Sequence, residues 1–176
     1  MNDLNALIKT GVPVWFLILT LFASVLVFFL MQRYVPNQNK QIQKICLIEY
    51  VIIVISSTIV FRTSADDYDY NFTPFWSYYQ IKHNLRPYLV YENLLNVILF
   101  IPIGLLVASI QSAKLYVALL FGCIFSICIE ICQFVFKCGL CEVDDIIHNT
   151  IGAAIGIIIY QLFRFFHCFF RDGFKK

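Results

Sequence analysis

Five long apolar runs limit what this chain can fold into. Val12 to Met31 holds twenty residues without a charge, and Leu115 to Phe136 holds twenty-two with one acid, Glu130. Ile45 to Phe61, Leu94 to Ile110 and Ile146 to Phe163 hold seventeen, seventeen and eighteen. Roughly 20 helical residues cross the hydrocarbon core of a bilayer, and about 17 is the lower limit. Backbone polar groups find no water in lipid and must be satisfied internally, so these runs are predicted to be helices. Composition agrees. The chain is 60% hydrophobic and 14% charged, with a mean hydropathy of +0.77, whereas a soluble domain is about half apolar and a quarter charged. The expectation is an all-α integral membrane protein, a bundle of five transmembrane helices forming a single domain over 1–176. Only Lys9 and Asp3 carry charge before the first run, which exceeds the core of a cleavable signal and reads as a retained helix.

Charge distribution orients the bundle. With the N-terminus outside, the inner segments hold Arg33, Lys40, Lys44, Lys114, Arg164, Arg171, Lys175 and Lys176, and the outer ones Lys9, Arg62, Lys82, Arg86 and Lys137. Basic residues favour the cytoplasmic side. The bias therefore predicts an outer N-terminus and a cytoplasmic C-terminus. The segments near Arg62 to Asn93 and Lys137 to Asp145 then face outward. A net charge of only +2 gives no basis for a nucleic-acid partner.

The first of those segments is unusually aromatic, carrying Tyr68, Tyr70, Phe72, Phe75, Trp76, Tyr78, Tyr79, Tyr88 and Tyr91. Such rings settle at the headgroup boundary. The loop reads either as an interfacial belt or as a lid over a pocket. The C-terminal mixture of Arg164, Phe165, Phe166, Phe169 and Arg171 reads as an anchor at the inner interface.

Polar groups inside apolar runs mark where function is to be sought, because they are costly at membrane depth. Asp145, Asn149, Gly152 and Gly156 follow one another at helical intervals and share a face. Asp144 is placed to cap that helix. The two glycines form a small-xxx-small seam suited to close helix packing, within the chain or against an assembly partner. Glu130 and Gln133 share a face of the preceding run, with Glu130 roughly 10 Å below its outer end at about 1.5 Å per residue. Asn93, Asn96, Phe100 and Gly104 line one stripe of the third run, where Pro102 is expected to free a backbone carbonyl. The candidate site is thus Asn93, Asn96, Glu130, Gln133, Asp144, Asp145 and Asn149. These residues form either an outward-opening polar pocket or a hydrogen-bond network that only fixes packing.

Three elements in order resemble the VanZ-like family of small bacterial membrane proteins. Asn71-Phe-Thr-Pro74-Phe75 is similar to the family's Asn-Leu-x-Pro-Phe element after the second span. Asn93 to Gly104, with Asn96, Phe100 and Pro102, resembles its Asn-x-x-x-Phe-x-Pro-x-Gly helix. Glu130-x-x-Gln133, followed by Asp144-Asp145-x-x-x-Asn149-Thr150-x-Gly152, resembles its closing signature. The resemblance covers about 45–162. It implies a multi-pass protein of the bacterial cytoplasmic membrane, associated with resistance to glycopeptide antibiotics of the teicoplanin type. The expected function is binding of an outer-leaflet amphiphile, a lipid-linked cell-wall precursor or a glycopeptide. One departure stands out: many members carry Arg after the loop glycine, and here that position is Leu140. If that Arg binds an anion elsewhere, the ability is in question here.

The alternative is a membrane-embedded enzyme. Its chemistry would come from a Glu130/Asp145 acid–base pair oriented by Asn93 and Asn149, or from the Cys138-Gly-Leu-Cys141 thiols. That C-x-x-C also admits a disulfide, a structural role or two metal ligands, but no second such pair exists to complete a four-thiolate zinc site. His83, His148 and His167 form no His-x-x-x-His pair, and no nucleotide-binding or serine-nucleophile motif is present. The sequence therefore calls for no metal and no cofactor, and leaves the oligomeric state open.

Overall fold

The computed structural model describes Phe22 and residues 39–60, 62, 68–111 and 114–173. Apart from Phe22, the first predicted span lies outside the described residues. Four helices among them are long and apolar enough to cross a membrane, over Lys40–Val60, Leu89–Ile110, Leu115–Phe136 and Val143–Phe169. We label the helices α1 (Asn39–Ile55), α2 (Trp76–Lys82), α3 (Leu89–Gln111), α4 (Leu115–Phe136) and α5 (Val143–Gly173). The end of α1, the start of α3, the end of α4 and the start of α5 meet at one end of the bundle. That end carries the site.

Two of the boundaries that differ from the sequence reading lie at this end. α3 begins at Leu89 rather than Leu94, and α5 at Val143 rather than Ile146. The added turns hold Glu92 in one case and Asp144 with Asp145 in the other. Hydropathy excludes these acids from an apolar run. The positive end of the helix dipole favours them in a first turn.

α3 is the centre of the bundle: 56% of its apolar window is buried, against 22–33% for the other three spans. It crosses α5 at unusually close range. A methyl group at Gly104 would strike the carbonyl of Ala153, at Gly152 that of Val97, and at Gly156 that of Ile101. Lipid tails are as apolar as leucine, so membrane helices associate through packing, and small residues let backbones touch. The Gly152/Gly156 seam is thus consumed inside the chain, and the assembly-partner use considered for it is corrected.

α1 joins this core through Tyr50, which is 1% exposed. Its hydroxyl donates to the Leu99 carbonyl at 3.0 Å, in the turn that the ring of Pro102 crowds. Past Ile55 the helix widens into a π-turn over Ser56–Val60. There the hydroxyls of Ser57 and Thr58 both donate to the Val54 carbonyl, each at 2.8 Å. Such turns redirect side chains without ending a helix.

The aromatic loop has structure of its own. Besides α2, it supplies a two-residue strand β1 (Tyr70–Asn71), which pairs in parallel with β2 (Cys141–Glu142) in the register Tyr70 to Cys141 and Asn71 to Glu142. Lys137, with φ 52°, ends α4 in a left-handed turn that returns the Cys138 amide to the Gln133 carbonyl at 3.0 Å. The ring of Tyr68 lies beneath the Lys137 ammonium at 4.4 Å. This pairing holds the two connecting segments together across the end of the bundle. α5 spans 31 residues, roughly 46 Å at about 1.5 Å each. It outreaches a hydrocarbon core of about 30 Å, so its last turns, with exposed Phe165, Phe166 and Phe169, pass the far edge.

Candidate functional site

A cavity of about 330 Å³ opens at the end where α1, α3, α4 and α5 converge. The π-turn contributes Ser57 and Thr58, and Arg62 follows it. From α3 come Leu89, Glu92, Leu95, Asn96 and Leu99, at spacings of three and four that place them on one face. Arg86 and Tyr88 precede that helix at the mouth, and Asp69 lies at the rim. Leu140 and Glu142 from the β2 segment, and Asp145 from the first turn of α5, close the far wall.

Of the seven candidate residues, Asn96 and Asp145 line this cavity. The Asn96 side chain lies close to the Asp145 carboxylate across the cavity wall. This direct α3–α5 contact is the convergence expected from sequence. Glu130, 2% exposed, lies close enough to Asp145 to feel its charge. Its Oε2 accepts the backbone N–H of Glu142 at 2.9 Å. It thereby caps the residue just before α5 and holds the far wall from behind.

The remaining four brace the frame. Asp144 does not cap its own helix, which corrects the sequence reading. Its Oδ1 accepts from the Phe75 amide at 2.5 Å, and its Oδ2 accepts from the Ser77 amide at 2.8 Å and the Ser77 hydroxyl at 2.6 Å. The reason lies in α2, whose N-cap residue Phe75 is left-handed (φ 62°) and supplies no side-chain cap. The orphan amides at that helix start need an acceptor, and a carboxylate is the strongest available. Asn93 Nδ2 donates to the same Ser77 hydroxyl at 3.1 Å, so α2, α3 and α5 share one buried node. Asn149 Nδ2 donates to Ser126 on α4 at 2.8 Å. Gln133 Nε2 donates to the Thr58 carbonyl at 3.1 Å, closing α4 against the π-turn. Asn93 and Asn149 each commit one of their two amide N–H donors to these bonds.

Electrostatics at the site involve residues that sequence reasoning passed over. Arg62 lies close enough to attract Glu92, Glu130 and Asp145, and Arg86 close enough to attract Glu92 and Glu142. Burial, with Asp145, Asp144 and Glu92 nearby, pushes the Glu142 carboxyl up to about 8, and Arg86 opposes the shift. Arg62 stands near the position of the Leu140 departure. Its Nη1 occupies the space a side chain at Gly139 would take, so positive charge reaches the loop glycine from the segment after the π-turn. Part of this was visible beforehand: Glu92 precedes Asn96 by four residues, hence on its face. The placement of Arg62 and Arg86 depends on loop geometry that no periodicity encodes.

The loop thiols have little reactive character. Cys138 is 3% exposed and Cys141 8%. Burial pushes both thiols up, and for Cys141 the carboxylates of Glu130, Asp145 and Glu142 add to the shift. A thiol so placed yields little thiolate. Among the described residues, no three His, Cys, Asp or Glu side chains are grouped as a metal ion requires.

Comparison with known proteins extends over most of the chain. The model of the family described as VanZ/LLP1 matches residues 14–164. A curated relative, Protein VanZ of Enterococcus faecium, is 34% identical over 98 residues, covering 53% of this chain and 61% of that protein. The match therefore spans less than two thirds of the relative's length. No solved structure matches the chain with significance.

Proposed function

The chain belongs to the VanZ-like family, and from that premise we propose that it is a cell-envelope protein that binds an amphiphile from the outer leaflet. The ligand is a lipid-linked cell-wall precursor or a glycopeptide antibiotic, and the outcome is a contribution to teicoplanin-type resistance. In this reading the protein lies in the bacterial cytoplasmic membrane with the cavity end outward. The excess of basic residues on the opposite segments supports that orientation.

One observation carries the proposal. The cavity walls combine apolar side chains, Leu89, Leu95, Leu99 and Leu140, with guanidinium and carboxylate groups at the membrane end of a helical bundle. A polar solute gains nothing from the leucines, and a simple hydrocarbon leaves the charges unsatisfied. A molecule with one apolar and one charged portion uses both. Tyr88 lines the cavity and Trp76 lies beneath Arg86 beside it, rings suited to the headgroup layer.

Susceptibility provides the test. Expression in a sensitive Gram-positive host is expected to raise the teicoplanin concentration needed to arrest growth, and Asn96→Leu is expected to abolish that gain while the protein still reaches the membrane. Unchanged susceptibility with the intact chain present in membranes would remove the resistance role. A reporter fused at the C-terminus and active only outside the cell would overturn the orientation.

A further inference from the structure

Charge within the cavity narrows the ligand further, granted the reading that an amphiphile binds there. Four carboxylates, Asp69, Glu92, Glu142 and Asp145, share its lining with two guanidiniums, Arg62 and Arg86. Neither guanidinium forms a close ion pair with a carboxylate among the described residues, and each also lies against an uncharged neighbour. Arg86 stacks over the Trp76 ring at 5.4 Å, and Arg62 lodges against Gly139. A guanidinium placed over a ring is attracted by its π face without spending N–H donors on an acceptor, and those donors can serve an oxyanion. The carboxylates lack a comparable balance. Glu142 feels Asp145, Asp144 and Glu92 together; such crowding favours proton uptake, and a cationic group set among the carboxylates relieves the same repulsion.

An anion alone would meet four carboxylates, and a cation alone two guanidiniums. A group carrying both charges can set each against its opposite. We propose that the polar end of this cavity recognises a dipolar headgroup, its oxyanion held by Arg62 and Arg86 and its ammonium by Glu92, Glu142 and Asp145. The volume agrees. About 330 Å³ lies at the lower end of the roughly 300–1,000 Å³ of small-ligand pockets. That admits a headgroup, and leaves acyl chains or a peptide body outside, against the leucines and the aromatic rim. Two sources present this chemistry: an aminophospholipid, and the amine and carboxylate of a peptide antibiotic.

The test uses the full chain in detergent, with bound lipid read by native mass spectrometry. Phosphatidylethanolamine carries both charges, phosphatidylglycerol only the anion, and diacylglycerol neither. N-acetylated phosphatidylethanolamine removes the ammonium from the ligand without altering the protein. We expect phosphatidylethanolamine to be retained over phosphatidylglycerol and over its acetylated form by roughly tenfold, the factor that one charge-assisted hydrogen bond supplies. Arg62→Gln and Glu142→Gln are each expected to erase most of that preference. Teicoplanin added as competitor separates the sources: displacement of the lipid places both in this site, and binding of teicoplanin with no lipid retained assigns the site to the antibiotic. Equal retention of the charged and uncharged lipids, or a preference for phosphatidylglycerol, would overturn the dipolar assignment and leave amphiphile binding standing. Retention of no lipid and no teicoplanin would overturn both.

Discussion

α3 and α5 meet in two different ways along their length. Around Gly104, Gly152 and Gly156 their backbones touch, and no side chain separates them. Roughly two to three turns away, at Glu92, Asn96 and Asp145, they diverge enough to leave a cavity lined by charge. The first region holds the helices together by packing, which is the main attraction available in lipid. The second keeps polar groups partly solvated, where they add little to cohesion but can select a ligand. The contrast assigns stability to the seam and recognition to the open end, and makes the seam the element that sets the width of the cavity.

The strongest way to break that comparison is to force the seam apart. Gly156→Leu drives a side chain into the Ile101 carbonyl and the Leu105 amide, groups that cannot rotate away. Overpacking of this kind is expected to cost about 3 kcal/mol or more. Thermal denaturation in detergent should show a large drop in midpoint, with lipid retention lost at the same time. A variant that keeps both its midpoint and its retention would show that the seam does not determine the cavity.

A smaller effect is expected at the node joining the aromatic loop to the bundle. Asp144→Asn keeps the shape but replaces charge-assisted hydrogen bonds to Phe75 and Ser77 with neutral ones. The expected loss is about 1–2 kcal/mol. Hydrogen exchange should quicken across residues 75–82 while the amides of α3 near Gly104 stay protected. Uniform loss of protection would place Asp144 in the global core and blur the division between the two regions.

These regions also differ in how readily the sequence discloses them. The spans follow from apolar length, and the seam from glycines at an interval of four, because helical periodicity relates neighbours within one element. Asn96 and Asp145 were likewise legible as inward-facing groups on separate helices. The roles of Asp144 and Glu130 were not. Each acts on a backbone amide elsewhere in the chain: Asp144 on an α2 start that lacks its own cap, Glu130 on the residue preceding α5. Hydropathy also hid Arg62, Arg86 and Glu142, which sit in connections, where charge is the ordinary state. The β1–β2 pairing, the turn at Lys137 and the Glu130 carboxylate together bring the Glu142 segment back over the cavity. A sequence reading that sorts residues into spans and loops assigns the wall of this site to the loops.

Glu142 sharpens the comparison through pH. Its carboxyl is raised in the fold from an ordinary 4.5 to about 8, first by burial and then by Asp145 and the other acids. Below about pH 4.5 it is protonated both folded and unfolded, and its contribution is fully present. Between 4.5 and about 8 the folded protein retains a proton that the unfolded chain has released. Stability therefore declines as pH rises through that window, and the loss is complete above it. Glu142→Gln should flatten this part of the profile and leave the variant more stable than the parent at pH 8.5, in denaturation series run at pH 5.5 and 8.5. Parallel profiles for the two proteins would remove Glu142 as the source. A dipolar ligand should oppose the decline, because its ammonium stabilises the ionised carboxylate.

The smallest effect is expected at Cys138 and Cys141, which share the open end without sharing its chemistry. A thiol that exchanges disulfides or attacks a substrate has to be exposed and at least partly ionised near neutral pH. Both of these are buried, and their surroundings hold them in the protonated form. Their backbones do the visible work: the Cys138 amide closes the turn after α4, and the Cys141 amide bonds the Asp69 carbonyl at 3.1 Å to fasten the rim. Alanine keeps both amides. Replacing both cysteines by Ala should therefore leave resistance and lipid preference unchanged, and should shift stability by no more than about 1–2 kcal/mol through lost side-chain packing. If resistance instead falls while the protein stays folded, the open end carries thiol chemistry, and the division between packing and charge recognition gives way to the enzymatic alternative.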